Sequence, residues 1–390
     1  MIITPRIRGF ICTTAHPTGC AMNVRGQIAQ VLEGGPIADA PKRVLVVGCS
    51  TGYGLASRVV TSFGGGADTV GVSFERSPAE TRTASAGWYN NRAFEAEAKA
   101  AGRKAVTLDG DGFSDAMKDE VVAAIRANLG QIDMLVYSMA APVRTHPVTG
   151  VTYRSAIKPL GAPVRIKTLN TDSGEVSETE LAPATPEETA ATVAVMGGED
   201  WERWIDALEA AAVLAPGFRT LSYTYIGSEL TWPIYWKATL GKAKEDLDRA
   251  AAAIRARLGE NAARIVSLKA VVTQASSAIP VVPLYGTILF RVMKQMGLHE
   301  GCLEQIDRLF RKVLPHPVLD DAGRLRLDDL ELSEPVQAEV RRRWPLVTTQ
   351  AMDELADLAG YRSEFLRLFG FGVAGVDYEK DVDPQVVEVI

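Results

Sequence analysis

The chain has few cysteines and no long hydrophobic run, and these two shortages exclude several classes of protein. Four cysteines occur among 390 residues, and the N-terminus lacks the charged start and apolar core of a secretory signal. We therefore expect reduced thiols and a cytoplasmic location. The best candidate for a membrane span, residues 279–290, is interrupted by two prolines and a glycine. This stretch is too short for a transmembrane helix, so we predict no membrane span.

An excess of basic charge is also missing. Lysine and arginine number 42 against 48 aspartates and glutamates, which gives a net charge of −6, and the two signs are interspersed. The composition therefore gives no electrostatic reason to expect a nucleic acid partner.

One cysteine spacing resembles part of a metal site. Cys12, His16 and Cys20 follow the pattern C-x3-H-x3-C, and thiolates and imidazole are ligands of zinc. A closed zinc site needs a fourth ligand, and none lies nearby in the sequence. We favour ordinary buried or loop residues here and predict no metal.

Short β-branched apolar runs alternate with helical patterns over much of the chain. The predicted strands are 43–48, 69–75, 104–111, 132–138, 219–227 and 264–273. Helical patterns begin at Leu55, at 88 and after Ser114, and a long one ends near Leu258. Strands that alternate with helices form a parallel sheet covered on both faces. We therefore predict an α/β fold with a Rossmann-like, doubly wound parallel sheet.

Two segments interrupt or extend this alternation. Residues of about 141–215 contain a predicted β-hairpin, with its turn near 171–174, followed by two helices. Residues of about 281–390 carry only helical patterns. Because no linker separates these segments from the sheet, we predict one domain over 1–390, with a hairpin-and-helix insertion and a helical C-terminal extension.

The segment GCSTGYG, residues 48–54, follows the first predicted strand and precedes its helix. Glycines at this point let the backbone approach a phosphate at a helix N-terminus. The spacing GxxxGxG differs from the usual dinucleotide fingerprint GxGxxG. Residues 48–52 also match G-x-S-x-G, which would make Ser50 the nucleophile of a serine hydrolase. No HGGG-type oxyanion loop precedes it, so we favour cofactor binding.

Acidic residues end the next two predicted strands. Glu75 lies 21 residues after Gly54, where a carboxylate can bind the ribose hydroxyls of NADH and repel the 2′-phosphate of NADPH. Arg76 weakens this inference, because it could hold that phosphate instead. Asp111 would meet the adenine, and residues 137–140 would pass under the cofactor.

Tyr235 is a candidate proton donor, because a tyrosine can stabilise and protonate a developing oxyanion. A nearby ammonium would lower the pKa of the tyrosine and help to bind the cofactor. On a straight helix Lys242 would share a face with Tyr235, whereas Lys244 would not. Pro233 and Gly241 allow irregular backbone, so spacing alone does not choose the lysine.

These motifs together resemble the FabV-type enoyl-[acyl-carrier-protein] reductases and the trans-2-enoyl-CoA reductases, a Tyr-x8-Lys group within the short-chain dehydrogenase/reductase superfamily. The likeness covers the whole chain. It is carried by GCSTGYG, Phe74-Glu75, Asp111-Gly112, Tyr225, Tyr235, Lys244 and TQASSAIP (273–280).

The resemblance implies a role for each matching residue. Tyr235 would donate the proton, Lys244 would contact NADH, and Tyr225 would contact the substrate. Tyr235 would then lie outside the regular helix. The implied cofactor-binding residues are Gly48, Cys49, Ser50, Thr51, Gly52, Tyr53, Phe74, Glu75, Asp111, Gly112, Met139, Ala140, Lys244, Thr273, Gln274 and Ala275.

The resemblance also implies a reaction. NADH would reduce the C2–C3 double bond of a trans-2-enoyl thioester, carried by acyl carrier protein or coenzyme A, in fatty acid biosynthesis, and the enzyme would be a monomer. Three other functions share some of the same motifs: a short-chain reductase of ketones or alcohols, a hydrolase that uses Ser50, and a nucleotide-sensing protein without turnover.

Overall fold

A computed structural model describes residues 1–9 and 11–386 of the chain. Its strands, in chain order, are β1 (Ile7–Arg8), β2 (Ile11–Cys12), β3 (Arg43–Val47), β4 (Asp68–Ser73), β5 (Ala105–Asp109), β6 (Ile132–Tyr137), β7 (Val143–Thr145), β8 (Thr152–Arg154), β9 (Val164–Leu169), β10 (Val176–Leu181), β11 (Leu214–Thr224), β12 (Ala263–Ser267) and β13 (Leu325–Arg326).

The helices surround these strands. They are α1 (Pro17–Glu33), α2 (Gly52–Val59), α3 (Ala86–Ala100), α4 (Asp115–Asn128), α5 (Pro186–Met196), α6 (Glu199–Ala210), α7 (Thr239–Leu258), α8 (Gln274–Ser277), α9 (Val282–Gln295), α10 (Cys302–Arg308), α11 (Glu334–Arg343), α12 (Met352–Leu355) and α13 (Leu358–Arg367). Wider π-helical turns extend α2 over Val60–Gly64 and α10 over Leu309–Val313. Within the described residues no helix is long and apolar enough to cross a membrane.

Seven parallel strands form the central sheet, in the order β13-β12-β11-β6-β3-β4-β5. The chain starts at β3 in the middle, winds outward to β5, then crosses to β6 and winds the other way. The direction reverses between β3 and β6, and ligands of open α/β sheets bind at the carboxyl ends of strands at such a point. The predicted α/β fold is therefore confirmed.

The side chains of β3 alternate between two hydrophobic cores. Val44 and Val46 pack with α1, α2 and α10 on one face. Leu45 and Val47 pack with α4, α6 and α7 on the other face. A strand buried on both faces reads as a continuous apolar run, because successive side chains point in opposite directions. This is why residues 44–47, VLVV, are apolar throughout.

The insertion and the extension have the elements that the sequence predicts, with some corrections. The hairpin β9–β10 pairs around a turn at 170–175, and helices α5 and α6 follow it. The helical pattern of residues 349–369 predicts a single helix, and this prediction is wrong. The chain is extended at Ala356, and Asp357 then caps α13 by accepting a hydrogen bond from the Gly360 N–H at 2.9 Å.

Three further differences concern single elements. Helix α1 was not predicted, because Pro17 and Gly19 obscure its start, although His16 caps it through Nδ1. Strand β13 has two residues and pairs with β12, 59 positions earlier in sequence, while Leu325 also forms a bridge with Leu319. Strand β12 ends at Ser267, whereas the apolar pattern continued to 273.

Candidate active site

The loop after β3 lies against the neighbouring strand β6. Gly48 has φ +86°, and a Cβ at this position would lie 2.3 Å from the carbonyl oxygen of Ser138. Only glycine fits such a close approach at positive φ. The loop then enters α2 at Gly52, so the N–H groups of the first helical turn face the carboxyl edge of the sheet.

A cleft of about 220 Å³ opens at this edge. Its walls include five of the residues expected to bind the cofactor: Thr51, Gly52, Glu75, Thr273 and Gln274. A Cβ added to Gly52 would lie 3.5 Å from Cγ2 of Thr273, so the first loop and the late loop are neighbours. The structure thus brings together residues more than 200 positions apart in sequence.

Other walls of the cleft come from segments that the sequence did not point to. Residues 11–15, from the N-terminal hairpin, line one side, and Leu368 and Phe369 of the C-terminal extension line another. Neither segment carries a charged or glycine-rich motif. No local signal in the sequence would have placed them here.

Glu75 is the acidic group of the cleft. Its Oε1 accepts a hydrogen bond from Ser50 Oγ at 2.6 Å. Burial raises the pKa of Glu75, while hydrogen bonds from Ser50 and Ser85 oppose this shift. Arg76 points to the rim, where its guanidinium donates to the carbonyls of Thr13 and Thr83 at 3.4 and 3.5 Å.

The hydrogen bond from Ser50 to Glu75 argues against Ser50 as the nucleophile of a hydrolase. The hydroxyl of Ser50 donates to a carboxylate and not to a histidine. His146 and His299 instead approach Glu199 and Glu364 at 2.9 and 3.5 Å. Also within the described residues, no group of three His, Cys, Asp or Glu side chains could hold a metal ion.

Several expected cofactor-binding residues turn their side chains elsewhere. The thiol of Cys49 is fully buried and donates to Asn91 Oδ1 at 3.6 Å. The hydroxyl of Tyr53 donates to the carbonyl of Lys269 at 2.7 Å. The polar group of each of these side chains is therefore bound within the protein.

The remaining expected cofactor-binding residues lie at or near the surface of the same edge. Phe74 is 81% exposed, and Ala140 and Ala275 are exposed. Asp111 accepts a hydrogen bond from the N–H of Phe113 at 3.0 Å. Gly112 lies beside Met139, whose Cε would be 3.5 Å from an added Cβ.

Tyr235 lies in a series of turns that precedes α7, so the resemblance was right to place it outside the regular helix. Its ring contacts Tyr225 edge to face, with centroids 4.9 Å apart and planes at 80°. Burial raises the pKa of Tyr235 above its ordinary value. Burial is the cause of this shift, and the phenol is protonated at neutral pH.

The three lysines near Tyr235 have different surroundings. Lys237 lies over the ring of Trp232, 5.1 Å from its centroid. Lys242 is exposed and pairs with Glu245 at 2.8 Å. Burial lowers the pKa of Lys244 to about 8, and Asp248 opposes this shift. Lys244 is therefore the lysine held in a site that disfavours its charge, as expected of a functional group.

Gly241 explains why a count along one straight helix fails. Helix α7 begins at Thr239, and a Cβ on Gly241 would lie 1.8 Å from the carbonyl oxygen of Trp236. The turn that carries Tyr235 therefore lies directly against the first turn of the helix. Such a close contact requires glycine. Because Tyr235 and Lys242 do not lie on one continuous helix, the argument that they share a helical face no longer holds.

The hydroxyl of Tyr225 has a partner that the sequence did not reveal. It donates to Oε1 of Glu331 at 3.1 Å, and Glu331 is fully buried. Glu331 lies between β13 and α11, 106 positions from Tyr225 in sequence. No motif surrounds it.

Three family models cover nearly the whole chain. Residues 82–314 match the catalytic region of trans-2-enoyl-CoA reductase. Residues 2–80 match the NAD(P)H binding domain of the same enzyme. Residues 319–382 match a model described as an enoyl reductase FAD binding domain.

The buried polar groups of residues 319–382 do not fit a flavin site. Asp328 accepts from Ser267 Oγ at 2.7 Å, and Glu331 accepts from Tyr225 and Tyr285. In the described part of this segment, no buried side-chain nitrogen or oxygen lacks a partner. These groups already bind protein atoms, so the segment has no unpartnered buried polar side chain that points to a flavin.

Known proteins match the chain over its full length. An enoyl-[acyl-carrier-protein] reductase [NADH] of Burkholderia pseudomallei is 56% identical, over 99% of this chain and 98% of that protein. The trans-2-enoyl-CoA reductase of Treponema denticola, solved in complex with NAD, is 46% identical, with a TM-score of 0.94 and 98% coverage of both chains. That of Clostridium acetobutulicum, solved with NADH, is 39% identical, with a TM-score of 0.96 over the whole of both chains. The chain therefore belongs to the trans-2-enoyl-CoA reductase family.

Proposed function

We propose that the chain is an NADH-dependent reductase of trans-2-enoyl thioesters that acts in fatty acid biosynthesis. The observation that carries this function is the full-length similarity, at 56% identity, to an enoyl-[acyl-carrier-protein] reductase [NADH]. The acyl chain is linked to acyl carrier protein or to coenzyme A. The enzyme works in the cytoplasm as a monomer.

The cofactor occupies the cleft at the carboxyl edge of the sheet. Backbone N–H groups at the start of α2 receive its diphosphate, since they lie at a helix N-terminus, whereas those of Gly48 and Cys49 already donate to the carbonyl of Val72. Glu75, on the wall of the cleft, accepts hydrogen bonds from the ribose hydroxyls. Its carboxylate repels a 2′-phosphate, which favours NADH over NADPH. Lys244 holds the other end of the cofactor as a cation.

Tyr235 is the acid of the reaction. Bound NADH supplies the hydride that adds to C3 of the enoyl thioester. The electrons of the double bond then move toward the thioester oxygen, and the phenol of Tyr235 donates a hydrogen bond and a proton to the enolate. Because burial keeps the phenol protonated, the donor is ready before charge develops.

The first test follows the loss of NADH absorbance with purified protein and crotonyl-CoA, and then with a dodecenoyl acyl carrier protein. We expect oxidation of NADH that requires the enoyl thioester and is slower with NADPH. Saturated alcohols with NAD, and ketones with NADH, serve as controls for a short-chain reductase of the other class. Turnover of those compounds alone, without reduction of either thioester, would overturn the proposal.

A further inference from the structure

A buried carboxylate lies directly behind the tyrosine pair of the active site. Glu331 has no exposed surface. Its Oε1 accepts hydrogen bonds from the hydroxyls of Tyr225 at 3.1 Å and Tyr285 at 2.7 Å. Its Oε2 accepts one from the N–H of Ala270 at 2.7 Å. One side chain thus joins the end of β11, the loop after β12 and helix α9.

The surroundings of Glu331 shift its pKa in both directions. Burial and the charge of Asp328 raise its pKa, while the charge of Lys269 and the hydrogen bonds from Ala270 and Tyr285 oppose this rise. Lys269 is itself buried, donates to the carbonyl of Ala270 at 2.6 Å and lies over the ring of Phe290. Three hydrogen bonds and a nearby cation reduce the cost of burying this carboxylate.

The contact with Glu331 determines what the hydroxyl of Tyr225 can do. A phenol has one hydrogen to donate, and that of Tyr225 points to Glu331 Oε1. The hydroxyl can still accept a hydrogen bond, but it cannot also donate one to a thioester oxygen. The ring of Tyr225 is held at the same time with its edge-to-face contact on Tyr235.

We infer that Glu331 is a positioning residue, which fixes the ring of Tyr225 against Tyr235 and leaves Tyr235 as the only one of the two phenols that donates to the substrate. This inference rests on the proposed function. It makes Tyr225, which the resemblance expects to contact the substrate, an oriented wall of the site and not a donor to the thioester. It also gives the C-terminal extension a part in catalysis.

A double-mutant cycle tests this inference. Glu331→Leu removes the acceptor, and Tyr225→Phe removes the hydroxyl from the same contact. We expect each to lower kcat about tenfold, as loss of one charge-assisted hydrogen bond that orients a side chain would. In the Tyr225→Phe protein, Glu331→Leu should change kcat by less than about twofold, because the contact is already lost.

Conservative variants separate positioning from a general loss of stability. Glu331→Gln should restore most of the rate, since the amide donates to the Tyr225 hydroxyl and holds the ring. Tyr285→Phe is the matched control, because it removes a hydroxyl from the same oxygen of Glu331 but lies in α9. It should shift the unfolding temperature and leave kcat nearly unchanged. If Glu331→Leu does not fold, Glu331→Asp withdraws the carboxylate while keeping its charge.

The outcomes distinguish this inference from the proposed function. Wild-type protein that reduces no enoyl thioester would refute the proposed function itself. Active wild type with additive losses in the cycle would give Glu331 a structural role only. A slow Tyr225→Phe protein beside a fully active Glu331→Leu protein would make Tyr225 a direct donor. In every active variant, fluorescence titration should give an NADH dissociation constant within about twofold of the wild type.

Discussion

Replacement of Lys244 by methionine should stabilise the protein while it weakens the binding of NADH. Methionine keeps most of the length of lysine and removes its charge. The pKa of Lys244 falls from 10.5 to about 8 on burial. This fall corresponds to about 3 kcal/mol of unfavourable free energy for the charged form, or about 1 to 3 kcal/mol after screening at a partly exposed site.

The sign of this effect depends on pH in a defined way. The folded protein binds the proton of Lys244 more weakly than the unfolded chain does. The charge is therefore present and destabilising below pH of about 8, and its cost disappears as pH rises toward 10.5. The gain from Lys244→Met should be greatest at neutral pH and vanish at high pH. Wild-type affinity for NADH should decline above pH of about 8.

The NADH-binding free energy that Lys244→Met loses is comparable in size to the folding stability that it gains. A hydrogen bond from an ammonium contributes about 1.5 to 3 kcal/mol, so the dissociation constant of NADH should rise roughly 10- to 150-fold. Lys242→Met is the matched control, because its exposed pair with Glu245 contributes at most about 1 kcal/mol. Urea unfolding and fluorescence titration measure the two effects separately. Weakened NADH binding in Lys242→Met, with none in Lys244→Met, would refute the reasoning.

Three further substitutions have distinct expected results. Tyr235→Phe should lower kcat by about 100-fold or more with little change in NADH affinity, since it removes the general acid alone; an active variant would point to another donor. Glu75→Gln should raise the use of NADPH relative to NADH by about tenfold, because it removes like-charge repulsion, and kcat/KM for both cofactors measures this. Lys118→Met breaks the 2.9 Å buried pair with Asp200 and should cost about 3 to 5 kcal/mol in urea unfolding. The double variant with Asp200→Leu should recover much of that loss, and no recovery would contradict a charge origin.

Local patterns in the sequence were sufficient for the sheet and for most helices. A buried strand such as β3 must be apolar on both faces. The start of helix α4 is indicated by Ser114, whose Oγ accepts a hydrogen bond from the N–H of Met117. The elements that were missed lack such a local signal. Strand β13 exists through its pairing with β12, and α1 starts at a proline that usually signals a turn.

Some residues of the candidate site could likewise be predicted from local patterns, and others could not. The glycine loop at 48–54 and Glu75 follow strands, so their sequence neighbours indicated where they would lie. Glu331 has no such neighbours, since its three donors come from residues 225, 270 and 285. A carboxylate in a helical extension resembles any surface acid until the fold shows that it is buried.

The C-terminal extension is better understood as a completion of the site than as an added module. Strand β13 covers the edge of β12, and the N–H of His16 donates to the carbonyl of Phe369 at 2.9 Å, so the extension is bound both to the sheet and to the N-terminal segment. Glu331 then supplies a charge that three other segments need as an acceptor. Removal of this carboxylate would leave Lys269 without its main counter-charge and Tyr225 without its acceptor. The folding of residues 319–382 and the geometry of the tyrosine pair are therefore coupled through the same buried atoms.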